Sequence, residues 1–308
     1  MPFDKRTLVL PQGTRFEERT IVTKGDFILG NHVRMAFGLR TEGRVFAGQG
    51  VEIDGDVSCT DDLRVDQSSH LLGDVTGGAN VYLGERCFVK GDLALEGDLD
   101  VGDDVRIGGQ LKAKGWVNKR NPVPLVLYVF IYLLELLRMG QSEEVDRILK
   151  ELEEADDAEI SVDEVFLFVP DGCEIGLQRS EVKGAFLAKE DCRVLGNLVV
   201  RGDAELGAES QVCGALRADG DVFLRRGSEV QGDLVAAGRA VIGQGCQVLG
   251  DLKARSVEMY ASSTVDGKIL ADEGIQFRTE EQDVRVGTAE EKVEAFAGRS
   301  ADLVDLLG

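Results

Sequence analysis

The chain has 308 residues, 43% hydrophobic but only 6% aromatic, with 38 glycines. That mix suits tightly wound backbone around a narrow aliphatic core and argues against a helical bundle or a ring-lined ligand pocket. A formal net charge of −21 repels nucleic acid, so no nucleic-acid partner is expected.

In chain order, Met1–Arg6 leads into a short strand-like run, Leu8–Gly13 (LVLPQG), rather than the long apolar core of a signal peptide. From Phe27 the spacing of apolar residues becomes regular. Residues 53–70, 71–88 and 89–106 form successive 18-residue units, each with glycine third and an aliphatic residue fifth. Each unit divides into three hexads, as in VKGDLA, LEGDLD and VGDDVR. Alternation of period two within a hexad predicts a short strand, and the break after every hexad predicts a corner. Three strands and three corners make one triangular coil. Stacked coils place residue i over residue i+18 at the spacing of paired strands, ~4.8 Å. The fold class expected is all-β, two tandem triangular parallel β-helices.

The second helix is expected because the whole pattern returns later in the chain at a constant offset. Pro11, Gly25, Phe27, Gly55, Cys87 and Gly91 find their counterparts at Pro170, Gly184, Phe186, Gly214, Cys246 and Gly250. The step from Phe27 to Leu39 is shorter than a full unit and recurs unchanged from Phe186 to Leu198, which reads as a shortened first coil in each copy. The last coil of the second copy, from Gly250 to Gly267, is one residue short of a unit.

Between the copies the character changes. Asn121-Pro122-Val123-Pro124 breaks the strand pattern, and an unbroken apolar run follows, Leu125–Leu134. Gly140 suits a helix end and Ser142 the start of another, so an inserted α-helical hairpin is expected. The apolar run is too short for a membrane span. The expected organisation is a first β-helix over 1–118, a hairpin over 119–157, a second β-helix over 158–279 and a short helical or flexible tail over 280–308.

Candidate chemistry is sparse. The two histidines, His32 and His70, have no counterpart in the other copy, where Asp191 and Glu229 stand, and no orienting partner is evident in sequence. The repeated Gly-Asp pairs read as turn-compatible, solvated corners. Six cysteines form no CxxC pair and read as small buried side chains in a reducing compartment. No phosphate loop, metal-ligand spacing or nucleophile elbow appears, so neither a cofactor nor catalysis is expected. Hexads such as Ile242-Gly243-Gln244-Gly245-Cys246-Gln247 keep a hexapeptide-repeat acyltransferase as a minor alternative.

The recurring units Val89-Lys90-Gly91-Asp92-Leu93-Ala94-Leu95 and Val248-Leu249-Gly250-Asp251-Leu252-Lys253-Ala254 resemble bactofilins. The resemblance covers nearly all of both repeat regions. It implies a right-handed β-helix that polymerises end to end without nucleotide as a cytoskeletal scaffold in the cytoplasm. An open solenoid end exposes core side chains and unpaired strand edges, so ends must be capped or paired. Phe16, Phe27 and Phe37 are expected at one end of the first copy, Phe186 at that of the second, and Ile275 and Phe277 at the far end, as self-assembly residues. The alternative is a non-polymerising adaptor in which the copies dock on each other. There Leu125, Tyr128, Phe130, Tyr132 and Leu133, or the tail, would contact a membrane surface or a membrane-associated protein.

Overall fold

The computed structural model describes residues 5–119, 131, 132, 138, 147 and 165–278. The strands form three walls of 14, 12 and 12 strands around one interior, about twelve coils in all. Among the described residues only Ile131, Tyr132, Arg138 and Arg147 are helical. The inserted hairpin expected over 119–157 is not supported, and apart from Lys119 and those four positions it lies outside the described residues.

The repeat length and the strand register agree. Leu63 stands beside Val81 and Val81 beside Leu99, all parallel and each one repeat unit on from the last. Phe27, Val45, Leu63, Val81 and Leu99 thus form one inward column, each at most 1% exposed. Complete burial of such side chains contributes ~1.5–3 kcal/mol each, which is what winds the coil. The missing residue near the end of the second copy falls at Arg255. There a one-residue corner separates Leu252–Ala254 from Ser256–Tyr260, and the register shortens by one, as in Ala240↔Val257.

The shortened first coil is corrected. Phe27 pairs with Val45 and Leu39 with Val57, each a full repeat unit away. The strand Arg34–Met35 supplies the third wall between them. The short step from Phe27 to Leu39 is two sides of an ordinary triangle.

The Gly-Asp corners do more than turn. Asp56 Oδ1 accepts the N–H of Asp74, Asp74 Oδ1 that of Asp92, and Asp92 Oδ1 that of Gln110, at 2.9, 2.8 and 2.7 Å. The second half repeats this from Asp233 to Asp251 to Lys268, at 2.9 and 2.8 Å. Each carboxylate occupies the space above the glycine of the next coil. A Cβ on Gly91 would lie 2.3 Å from Asp74 Oδ1 and 2.6 Å from Gly73 O. Glycine and aspartate are therefore two halves of one device: the glycine of one coil is the seat for the aspartate of the coil before it.

The expectation of two tandem helices is also corrected. The lead strand Leu8–Leu10 does not stack on its own copy. It pairs in parallel with Phe186–Ala188 of the second, while the matching strand Phe166–Val169 pairs in parallel with Asp26–Leu29 of the first. The two lead strands lie side by side, antiparallel, through Val9↔Phe168. Arg15 likewise crosses to Arg193, and Glu174 to Arg34. The offset that carries Pro11 onto Pro170 turns each of these pairings into the other, so the halves meet head to head about a local two-fold and exchange their first strands. Strand polarity reverses there, and one buried cluster runs through the junction unbroken. Repetition in sequence reports the number of copies; it carries no information on how their ends meet. Two open N-terminal coils cover each other's edges, which removes the exposure each would suffer alone.

Candidate functional site

Phe16, Phe27, Phe37 and Phe186, expected at open solenoid ends, all lie at the head-to-head junction and are at most 3% exposed. Phe16 and Phe37 meet edge to face with ring centroids 5.3 Å apart. The aromatic rings fill the interior where the hairpin turns 15–23 and 174–182 interrupt the regular columns. Ile275 and Phe277 lie on the outermost described strand of the 14-stranded wall, 39% and 68% exposed.

The opposite tip is built alike. Its outermost strand, Val117–Lys119, pairs on one side with Leu99–Val101; Ile275–Arg278 pairs on one side with Ser256–Tyr260. Among the described residues neither has a strand on its other side. Trp116 is 79% exposed, Val117 53% and Leu111 42% at one tip, and Leu270 is 54% exposed at the other. The first tip escaped the sequence reading, though a signal existed: the aspartate position is taken by Gln110 and Trp116 in one last coil and by Lys268 in the other.

Of the expected partner-contact residues, Leu125, Tyr128, Phe130 and Leu133 lie outside the described residues. Tyr132 is helical and 45% exposed. No described helix is long and apolar enough to cross a membrane.

His32 and His70, far apart in sequence, line one open groove of about 600 Å³ at the junction with Arg34, Glu52, Glu174, Glu181 and Lys183. The hydrogen bond from Arg201 holds the Glu181 carboxyl below its ordinary range. Among the described residues no group of three or more His, Cys, Asp or Glu is placed to hold a metal ion. Five of the six cysteines are buried and all are free thiols. Burial pushes the Cys59 and Cys192 thiols up to about 11, away from thiolate chemistry.

The described residues offer surface: a long coil with two apolar, half-paired tips. No curated protein and no solved structure matches the chain. One family model does, over residues 185–280, and its description is bactofilin, polymer-forming cytoskeletal. The match begins at the first regular coil of the second half and ends just past the strand that carries Phe277. Residues 185–280 are thus similar to the bactofilin family, described as polymer-forming cytoskeletal.

Proposed function

We propose that the protein is a non-enzymatic cytoskeletal scaffold of the cytoplasm that self-associates through its two distal tips without a nucleotide. The observation that carries this reading is the exposure of Trp116 and Phe277, one at each tip, beside strand edges paired on one side only. Strand addition at such an edge supplies main-chain hydrogen bonds, and the flanking apolar side chains supply the area buried. The two tips are related by the same local two-fold as the halves, so like meets like at every contact between rods. Trp116→Arg together with Phe277→Arg places a charge at each tip. The expected result is loss of sedimentable assemblies and of filaments in negative stain, with an unchanged circular dichroism spectrum. Persistence of filaments in the doubly substituted protein would overturn the end-contact reading.

A non-polymerising adaptor remains the second reading. It is favoured by the head-to-head junction, which closes two of the four solenoid ends within one chain. In that reading the segment around Tyr132 recruits a membrane surface or a membrane-associated protein. Compact single particles at all concentrations, with flotation on liposomes, are its expected signature.

A further inference from the structure

Strands of a solenoid bury one face and show the other to water. Five consecutive strands at the centre of the 14-stranded wall break that rule. Their outward residues form one register row, Phe46–Ile28–Phe168–Val9–Leu187. Each is at most 2% exposed, and none belongs to the interior cluster. Beyond Leu187 the next outward residue is Glu205, 3% exposed and paired with Arg225; farther along the same wall Arg64, Tyr82 and Asp100 on one side, Phe223 and Val241 on the other, are half-buried. On the neighbouring walls at the same level, Arg34, Arg40 and Arg193 are exposed. An apolar row on the outside of the coil is therefore covered, and the cover reaches the neighbouring Glu205.

The described strands do not cover it. All 38 belong to the three walls, which leaves none to lie outside one of them. The Arg44 guanidinium stands over the Phe46 ring, 5.2 Å from its centroid, which covers one face of one residue.

We infer that the connecting segment's apolar run, Leu125–Leu134, is seated on this row. The connection leaves from Lys119, on the outermost strand of this wall at one tip, and returns at Phe166, at the wall's centre. Those two points are six strand places apart, ~29 Å, along the outside of the wall that carries the row. The row spans four places, ~19 Å. Wound as a helix, the thirteen residues 125–137 would span ~20 Å at ~1.5 Å per residue, which matches the row laid along the solenoid axis. Ile131, Tyr132 and Arg138 are helical and exposed. At helical spacing Val126, Phe130, Leu133 and Leu137 fall on the opposite side. The run then clamps both halves across the local two-fold, because Phe46 and Ile28 belong to the first half and Leu187 to the second.

A photo-crosslinking phenylalanine analogue at position 46 of the full chain tests this. Crosslinks to residues 125–137, unchanged on tenfold dilution, are expected. Crosslinks that vanish on dilution would mean a second copy covers the row, and crosslinks only to lipid in the presence of vesicles would mean a membrane does; either overturns the inference. Carbene footprinting of Phe130→Asp with Leu133→Asp gives an independent readout. Labelling of residues 26–29 and 186–188 is expected to rise several-fold at Ile28 and Leu187 while their inward neighbours Phe27 and Phe186 stay protected. Continued protection of Ile28 and Leu187 in that variant would also overturn it.

Discussion

Val9 and Phe168 face each other across the antiparallel pair of lead strands, and they are the same position of the two copies, related by the offset that carries Pro11 onto Pro170. A residue paired with its own counterpart marks the local two-fold. Everything about the junction follows from that pair: the exchange of lead strands, the reversal of polarity and the likeness of the two tips.

Val9→Asp and Phe168→Asp are therefore expected to act alike. Each places an unpaired carboxylate among buried apolar residues at the dyad and should cost on the order of 3–5 kcal/mol. Val241→Asp, at a half-buried outward position of the same wall, should cost much less. Urea unfolding of the three variants measures this; equal losses would remove the special standing of the dyad.

The glycine–aspartate device predicts two unequal effects. Asp74→Ala leaves the N–H of Asp92 without its carboxylate and should cost ~1 kcal/mol, since that site is exposed to water. Gly91→Ala drives a methyl against both Asp74 Oδ1 and Gly73 O, so it should cost more, ~2–3 kcal/mol. In the double substitution Asp74→Ala with Gly91→Ala, part of the clash is removed. The summed losses should then exceed the measured one. Strict additivity in thermal unfolding would mean that the two residues do not form a unit.

The buried thiols predict alkaline weakening. The Cys192 thiol, pushed up to about 11 by burial, keeps its proton in the folded state where an unfolded thiol, with an ordinary value of 9.0, has released it. A raised acid pKa makes the contribution full below pH 9 and lost as pH rises toward 11. The melting temperature should fall as pH rises through the ordinary thiol value of 9.0, and fall less steeply in Cys192→Ala. A variant that tracks the parent curve would assign the loss to other groups.

Expressed alone, the second half keeps Phe166–Val169 but loses the first half's Leu8–Leu10, which covers Phe186–Ala188. Two copies can restore the missing pairing by giving each other their lead strands. A dimer is expected by light scattering at micromolar concentration, and a stable monomer would contradict the role given to the exchange.

Periodicity made the coil legible. Glycine third and aliphatic fifth in every unit, with alternation inside each hexad, are read directly as columns that repeat once per coil. The junction was not legible, because an open end and an end covered by its duplicate have the same sequence. Phe27 and Phe186 look like end residues in both cases. One partial trace was present: DFIL, LVL, FLFV, VFA and FLA carry apolar residues on both strand faces and are buried on both, but VFL at Val222–Leu224 has the same pattern with Phe223 half-buried, so the pattern alone does not mark the junction. The histidine groove could not be read either, since His32 and His70 meet the residues around Glu181 only through the head-to-head contact.

The head-to-head contact joins surfaces that belong to one polypeptide. Between separate chains such a contact is lost on dilution; here the effective concentration of one half for the other is set by the connecting chain and does not change with the amount of protein. The junction is in that sense a permanent splice. Whatever the cell does to the protein's level leaves the rod itself whole.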